Sequence, residues 1–352
     1  MSSAVTSPHL QRATEFDALG RHDDAINELA LGTQARDAQC PRALGLRLLT
    51  GDRAPLLPKE GLSFLSDAAD AGLPESAARA AGILAVGVHR PADWKLALLW
   101  LSRAAELGWT PAQQQLRALC EDRELADAPV TGGAGWSRLA AGVSLDFWRR
   151  TPACRERHDS PRVVEALGVA PPALCEFLIS LAPNRLERAL VYDPVTRSDI
   201  VAAHRNNTIA RFDIFDVELA HVLVQARIAA ACQVSERQLE APSVLHYSPG
   251  EEIKDHYDFV DPKSAPDYAA EIAANGQRLA TFLLYLNDDY EGGETAFSKL
   301  GFRHKGRRGD GLFFINALPD MSPDLRTLHA GCPTTRGEKW IITQFIRNRP
   351  TR

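Results

Sequence analysis

The hydrophobic positions in the first third of the chain recur at helical spacing. Ala97, Leu101, Ala104 and Ala105 fall on one face of a predicted helix, and Gly108 stands where a glycine commonly ends such a helix. The small residues at 104 and 105 allow a neighbouring helix to approach closely. The pattern therefore predicts helices packed against one another.

This helical pattern returns after 36 residues. The shift aligns Gly51 with Gly87, Leu62 with Leu98, Phe64 with Trp100, Leu65 with Leu101, Ala68-Ala69 with Ala104-Ala105, and Gly72 with Gly108. A fainter copy places Ile26 and Leu29 against Leu62 and Leu65. A fixed period of this length indicates an α-solenoid. With AADAG and AAELG closing the second helices, residues 20–120 resemble Sel1-like repeats, relatives of tetratricopeptide repeats, which implies a surface for protein contacts. The alternative is that two or three repeats only buttress the next domain.

Beyond residue 160 the period changes from helical to strand-like. A helical segment at 171–182 is followed by short runs rich in β-branched and aromatic residues, separated by turns of Gly, Asn, Asp and Pro; the runs are 244–248, 281–287, 311–316 and 340–346. Short strands at this spacing favour an antiparallel barrel or a double-sheet jelly roll, the double-stranded β-helix, with helices outside it. The fold class predicted is thus α+β and multidomain, with a repeat domain at 1–125, a linker at 126–160 and a β domain at 161–352.

Composition narrows the class of protein further. The chain has 352 residues, 45% of them hydrophobic and 24% charged, which are ordinary globular values. A net charge of −5 gives no reason to expect nucleic acid or an anionic membrane as a partner. No apolar run approaches the roughly 18 residues of a membrane helix, and the first residues lack the pattern of a secretory signal. Six scattered cysteines are typical of a reducing compartment, so we expect a cytoplasmic protein.

One pair of residues in the β half suggests metal chemistry. His256 and Asp258 stand at i and i+2, so on a strand both side chains point to the same face. His329 follows in the segment LHAGCP. Two imidazoles and one carboxylate on a common face form the triad of non-haem Fe(II) enzymes, which leaves coordination positions open. The similar pair His22 and Asp24 lies in the helical region, where i and i+2 diverge, and we interpret it as a solvated turn.

The sequence around this triad resembles a known enzyme family. Four blocks in the expected order carry the resemblance: VLHYSPGEEIKDHYDF, RLATFLLYLNDDYEGGETAF, GDGLFF and LHAGCPTTRGEKWIITQFIR. Residues 160–352 are similar to the prolyl 4-hydroxylase group of 2-oxoglutarate/Fe(II) dioxygenases. The resemblance implies that His256, Asp258 and His329 hold Fe(II), and that O2 and ascorbate serve the reaction. Because related halogenases lack the carboxylate ligand, Asp258 implies hydroxylation.

The resemblance also assigns the co-substrate and substrate residues. Lys339 occupies the position of the cation that meets the distal carboxylate of 2-oxoglutarate, and Tyr247 and Thr295 match residues of the same pocket. Glu240 and Arg278 match positions that meet the peptide in prolyl hydroxylases; the alternative for them is an intra-barrel salt bridge. The segment 197–213 falls where the family has a loop over the substrate, which would let Arg205 face the peptide. Phe345 stands where the family usually has tryptophan.

Three functions remain open at this point. The first is a hydroxylase of a protein or peptide residue, most plausibly proline, that releases succinate and CO2 and recruits its substrate through the repeats. The second is a hydroxylase of a small molecule, such as a free amino acid or a natural-product intermediate. The third is a scaffold that binds partners through its repeats and senses oxygen or 2-oxoglutarate with its barrel.

Overall fold

The computed structural model describes residues 7–130, 132–193, 198–200, 205–263 and 266–350. The chain forms two compact units. The first comprises Met1–Leu145 together with Asp213–Val222, and the second comprises Asp146–Phe212 together with Leu223–Arg352. Among the described residues, no helix combines the length and the apolar character needed to cross a bilayer.

The first unit is built from consecutive helices that pack in pairs. The helices are α1 (Pro8–Ala18), α2 (His22–Gln34), α3 (Gln39–Thr50), α4 (Pro58–Asp70), α5 (Glu75–Val86), α6 (Trp94–Glu106), α7 (Thr110–Leu119), α8 (Arg123–Asp127) and α9 (Gly133–Ala141). Four more helices follow along the chain: α10 (Leu145–Arg149), α11 (Pro172–Ser180), α12 (Leu219–Cys232) and α13 (Pro266–Asn275). The helical repeat predicted from the sequence is therefore present.

The period of 36 residues is visible in the helix bounds. Helices α2, α4 and α6 begin at residues 22, 58 and 94 and each has 13 residues; α3 and α5 begin at 39 and 75 and each has 12. Gly108 follows the end of α6 with φ +91°, a left-handed conformation that glycine adopts without steric cost. Ala97, Leu101, Ala104 and Ala105 are fully buried, as the helical stripe predicts.

The segment predicted as a linker, 126–160, contains regular structure. It holds the last two residues of α8, then α9 and α10 and the strand at Ala153–His158. Trp136 and Trp148 are buried, so apolar packing accompanies the glycine-rich TGGAG stretch. Composition alone indicated a break in the repeat pattern here, but the aromatic residues supply enough buried surface to order the flanking turns.

The second unit contains the strands. They are β1 (Ala153–His158), β2 (Val163–Leu167), β3 (Glu187–Arg188), β4 (Val191–Asp193), β5 (Ser198–Ile200), β6 (Thr208–Arg211), β7 (Ser243–Tyr247), β8 (Ile253–His256), β9 (Arg278–Tyr285), β10 (Glu291–Gly292), β11 (Thr295–Phe297), β12 (Phe302–His304), β13 (Gly311–Ile315), β14 (His329–Gly331), β15 (Thr334–Arg336) and β16 (Lys339–Arg347). The four runs predicted as strands are β7, β9, β13 and β16.

Two antiparallel sheets form the body of this unit. The larger has eight strands in the order β1-β2-β13-β9-β16-β7-β6-β3, and the smaller has the order β12-β11-β14-β8. Their inner faces share one core, in which the rings of Phe297 and Phe314 meet edge to face with centroids 4.9 Å apart. Two facing sheets with a common core make the double-stranded β-helix predicted from the sequence, and helices flank it.

Candidate active site

The two histidines of the predicted triad are cross-strand neighbours in the smaller sheet. His329 on β14 lies opposite His256 on β8, and their ring centroids are 4.3 Å apart. Residues directly opposite each other in an antiparallel pair point to the same face. Strand pairing therefore brings together two imidazoles that are 73 positions apart in the sequence.

Asp258 completes the cluster from a position just beyond the strand. We predicted His256 and Asp258 on one strand, but β8 ends at His256 and Asp258 lies in the irregular segment that follows. Its carboxylate turns back to the histidines, with Oδ1 3.5 Å from Nε2 of His256 and Oδ2 3.4 Å from Nε2 of His329. Thr281 on β9 donates its hydroxyl hydrogen to Oδ2 at 2.7 Å and holds the carboxylate in this direction.

Backbone carbonyls hold both imidazoles in one orientation. Nδ1 of His256 lies 2.9 Å from the carbonyl oxygen of Lys254, and Nδ1 of His329 lies 3.0 Å from that of Thr327. A carbonyl only accepts, so Nδ1 carries a hydrogen in each ring, and Nε2 is the nitrogen that can bind a metal once it is deprotonated. Both Nε2 atoms face Asp258.

The charge of the cluster suits a divalent cation. Burial by itself would raise the pKa of Asp258, but the imidazoles of His329 and His256 hold it well below its usual range, so the group is a carboxylate. The possible ligand atoms of the three residues all lie within 4.8 Å of one another. Two imidazole nitrogens and one carboxylate are the donor set of non-haem Fe(II) sites, so these residues fit the metal implied by the sequence.

Lys339 and Tyr247 stand opposite each other in the larger sheet. Lys339 on β16 pairs with Tyr247 on β7, and its Nζ lies 5.0 Å from the centre of the tyrosine ring. Both side chains are almost fully buried. Nζ donates to the carbonyl oxygen of Gly293 at 2.6 Å, and burial lowers the pKa of Lys339 to about 8. A buried ammonium of this kind gains strongly from a ligand carboxylate.

Thr295 meets a tyrosine that the sequence analysis did not select. Its Oγ1 lies 3.0 Å from the hydroxyl oxygen of Tyr285, and both residues are buried. Burial raises the pKa of Tyr285, so the phenol keeps its proton and can donate it in a hydrogen bond. The strand pattern of β9 could have identified Tyr285. Thr281, Leu283 and Tyr285 occupy alternate positions and so share one face of the strand, and two of the three are polar.

All nine predicted site residues line one cavity of about 600 Å³. The nine are His256, Asp258, His329, Lys339, Tyr247, Thr295, Glu240, Arg278 and Arg205. The cavity lies within the second unit and is lined from both sheets. The structure therefore brings together residues that the sequence spreads over positions 205–339.

Glu240 and Arg278 form an ion pair at the wall of this cavity. Arg278 donates from Nε and Nη2 to the two carboxylate oxygens of Glu240, at 2.9 and 3.0 Å. Arg347 donates to the same carboxylate at 2.5 Å, and the ring of Phe345 lies 3.7 Å from the centre of the Arg278 guanidinium. The intra-barrel salt bridge considered for this pair is thus present, and both partners also line the cavity. Sequence reasoning missed Arg347.

Together with Ile209 and Arg211, Arg205 is a described residue of the predicted substrate loop that lines the cavity. Its Nε donates to Oδ1 of Asn207 at 3.1 Å, and its backbone bridges to Ile253. Burial lowers the pKa of Arg205, yet the guanidinium stays charged because the ordinary pKa of arginine lies far above neutral pH. The rest of the predicted loop, 197–213, falls partly on positions 197 and 201–204, which lie outside the described residues.

The second His-x-Asp pair, His22 and Asp24, makes ordinary ion-pair contacts with neighbouring side chains. His22 begins α2, and its Nδ1 lies 3.0 Å from Oδ1 of Asp17, while Asp24 pairs with Arg21 at 2.7 Å. The two side chains thus have different partners, as expected when i and i+2 diverge around a helix. Among the described residues, the only cluster of three or more possible metal ligands is the one at His256, Asp258 and His329.

Comparison with known proteins agrees with this site. The sequence profile of the 2OG-Fe(II) oxygenase superfamily matches residues 242–347, which include the triad and Lys339. Prolyl 4-hydroxylase 1 of Arabidopsis thaliana is 32% identical over 209 residues, 54% of this chain and 71% of that protein. The chain belongs to the prolyl 4-hydroxylase family of 2-oxoglutarate/Fe(II) oxygenases. The family predicted from the sequence is therefore confirmed.

Coverage of other family members is partial. The chain spans between 46% and 63% of three further prolyl 4-hydroxylases that it matches, from Arabidopsis thaliana and Gallus gallus. Among solved structures, a viral collagen prolyl hydroxylase from Paramecium bursaria Chlorella virus-1 is 26% identical, with a TM-score of 0.41 over 53% of this chain and 94% of that one. A Sel1 repeat protein from Oxalobacter formigenes is 28% identical, with a TM-score of 0.25 over 33% and 87%.

Proposed function

We propose that the chain is a 2-oxoglutarate- and Fe(II)-dependent dioxygenase that hydroxylates a residue of a protein or peptide, and that this residue is proline. The observation that carries the proposal is the sharing of one cavity by the triad and the buried Lys339. A metal site alone fits many enzymes. Among the described residues, the hydrogen-bond acceptor of this buried ammonium is a carbonyl and not a carboxylate, so the site favours an anionic ligand in addition.

His256, Asp258 and His329 would hold the iron. When bound, Fe(II) supplies the oxidative chemistry that couples decarboxylation of 2-oxoglutarate, to succinate and CO2, with insertion of one oxygen atom of O2 into a C–H bond. The chain's contribution is to orient these ligands: the carbonyls at 254 and 327 fix the imidazoles, and Thr281 fixes the carboxylate. Ascorbate belongs to the proposal as the reductant that restores oxidised iron.

Lys339, Tyr247 and Thr295 would bind the distal carboxylate of 2-oxoglutarate. All three are nearly inaccessible to water, which strengthens a charge-assisted hydrogen bond. Tyr285, through its contact with Thr295, would orient that hydroxyl. The cavity thus pairs a cationic interior with the metal ligands on the opposite sheet, and a dicarboxylate is the ligand that uses both.

Substrate would enter at the wall that carries Arg278 and Arg205. Arg278 is held flat on Phe345 by Glu240, which leaves its guanidinium oriented for donation to a peptide carbonyl. In this proposal Glu240 positions Arg278 rather than meeting the peptide itself. The helical repeats would recruit the protein substrate, in line with the protein contacts that their resemblance implies.

Turnover of 2-oxoglutarate with candidate substrates tests the proposal. Succinate release by the Fe(II)-loaded enzyme is measured with proline-rich peptides, with the same peptides carrying alanine for proline, and with free amino acids. Stimulation by the proline peptides alone supports the proposal. Stimulation by free amino acids only would replace it with the small-molecule hydroxylase, and stimulation by neither, with tight partner capture through residues 20–120, would favour the sensing scaffold.

A cytoplasmic location is also proposed. All six cysteines are free, and several of them are buried thiols. Free cysteines in a chain of this size favour a reducing compartment. Fractionation of the source cells tests this, and recovery of the protein outside the cytoplasmic fraction would contradict it.

A further inference from the structure

The helical unit includes a segment that comes from the second half of the sequence. Residues Asp213–Val222 belong to it, although they follow β6 and lead into α12. Arg79 on α5 forms an ion pair with Glu218 of this segment, and the two side chains are only 13% and 5% exposed. Arg79 also donates to the carbonyl oxygen of Phe215 at 3.2 Å. A buried ion pair is stable only where close contacts and further hydrogen bonds offset the desolvation of both charged groups.

Gln115 on α7 binds the same segment with both ends of its amide. Nε2 donates to Oε2 of Glu218 at 2.8 Å, and Oε1 accepts from the backbone N–H of Ala220 at 2.9 Å. Gln115 is completely buried. A side-chain amide that forms hydrogen bonds with both a backbone N–H and a carboxylate fixes the register and the direction of the segment.

Apolar contacts complete the recognition. Ile214 packs against the cluster of Leu49, Leu65, Ala80 and Ile83 in the repeats. At Gly82 on α5, a Cβ would lie 2.1 Å from the carbonyl oxygen of Val217, so the segment's backbone lies directly on the helix at a position that only glycine permits. Hydrogen bonds to the backbone of the ligand, an apolar anchor and a buried ion pair are the components of a peptide-binding groove.

We propose that the face of the repeats formed by α5 and α7 is a peptide-binding surface whose ligand is residues 213–222 of the same chain, and that Arg79 and Gln115 are thereby positioning residues for the substrate side of the active site. This second part rests on the proposed function. The repeat array, in this view, uses that surface for the chain itself rather than for an external partner.

The covalent route from this segment to the cavity is short. The chain passes from Arg205 through β6 into residue 213, and Arg205, Ile209 and Arg211 all line the cavity. Strand β6 has four residues and pairs with β7 on one side and with the two-residue β3 on the other. Such a short strand near a sheet edge gains little order from its own ladder, so anchoring of the residues that follow it limits its motion.

Hydrogen exchange in the full-length protein tests the binding directly. Arg79→Ala leaves the carboxylate of Glu218 buried without its cation, and we expect amide exchange in 213–222 to accelerate by about tenfold or more. Arg103→Ala is the matched control, because Arg103 pairs with Asp70 on the exposed surface of the repeats. It should leave exchange in 213–222 unchanged.

Two further variants keep the test valid if Arg79→Ala folds poorly. Gly82→Ala favours the helix by itself but places a methyl group against Val217, so it should also release the segment. The double variant Arg79→Met, Glu218→Gln removes both charges and should recover most of the lost protection, since replacing a buried pair together is far less costly than breaking it.

The positioning role has its own readout. In Arg79→Ala and Gly82→Ala, the KM for the peptide should rise about three- to tenfold, while the affinity for 2-oxoglutarate stays unchanged because Lys339 and Tyr247 lie on other strands. Unchanged exchange in 213–222 in both variants would overturn the peptide-binding surface. Faster exchange with an unchanged peptide KM would overturn the positioning role. If the wild-type protein hydroxylates no peptide, the proposed function fails, while the exchange experiment still decides the surface.

Discussion

The role of Lys339 leads to a prediction with two opposite parts. At neutral pH the folded protein holds this ammonium in a buried site, where its pKa falls from 10.5 to about 8. The unfavourable burial corresponds to about 3 kcal/mol below pH 8, and it vanishes as the pH rises from 8 towards 10.5, because the unfolded chain then binds a proton that the folded chain does not. The buried charge therefore destabilises the ligand-free protein, and a bound carboxylate ligand offsets this destabilisation.

Lys339→Met removes both the destabilising burial of the ammonium and its contribution to the binding of 2-oxoglutarate. The variant loses the hydrogen bond to the carbonyl of Gly293, worth about 1–3 kcal/mol when a buried acceptor is left unpaired, and it gains the relief of about 3 kcal/mol. We therefore expect the free energy of unfolding of the ligand-free protein to fall by no more than about 1 kcal/mol. The affinity for 2-oxoglutarate should fall by about 2–5 kcal/mol, which corresponds to roughly 30- to 4,000-fold.

Anaerobic titration and denaturation measure the two quantities separately. 2-Oxoglutarate is titrated calorimetrically into Fe(II)-loaded protein, and urea unfolding is followed without ligand. Lys305→Met is the control, because Lys305 also donates to a backbone carbonyl but is exposed and lies outside the cavity. An unchanged affinity in Lys339→Met would refute the assignment of the pocket, and a loss of iron binding would refute the separation of the co-substrate and metal sites.

The remaining predictions concern the same cavity. The affinity for 2-oxoglutarate should decrease about tenfold per pH unit above pH 8, since the ligand-free Lys339 loses its proton there; a flat affinity between pH 7 and 9.5, measured by calorimetry, would contradict this. Thr281→Val removes the donor to Asp258 and should weaken Fe(II) binding about 10- to 100-fold in competition with a chelator, and wild-type affinity would show that the bond does not orient the ligand. His329→Ala should abolish succinate release whereas His22→Ala should retain it, and activity in the first or loss in the second would reverse the roles of the two His-x-Asp pairs.

The repeat and strand patterns predicted most of the fold because they report local geometry. The period of 36 residues locates helices α2 to α6, and the small residues at 104 and 105 are buried where a helix approaches. The short apolar runs locate β7, β9, β13 and β16 because their residues alternate or are buried on both faces. The segment 126–160 was less accessible to this reasoning, since its buried tryptophans gain their meaning only from packing.

The site residues were selected from motifs, whereas the groups that orient them depend on tertiary contacts. Thr281 is 23 positions from Asp258, and Arg347 is 107 positions from Glu240, so no spacing rule relates them. Residues 213–222 are a similar case. Their contacts with Arg79 and Gln115 bridge more than 100 positions, so no local pattern relates them.

Peptide mass spectrometry tests the central claim most directly. Purified protein with Fe(II), 2-oxoglutarate and ascorbate is added to a lysate from a strain that lacks the gene, and single-oxygen additions are compared with those from a His329→Ala control. The account predicts one or a few prolines that gain oxygen only with the wild-type protein. Consumption of 2-oxoglutarate with no oxygen gained by any peptide would contradict it and would identify a small molecule as the substrate.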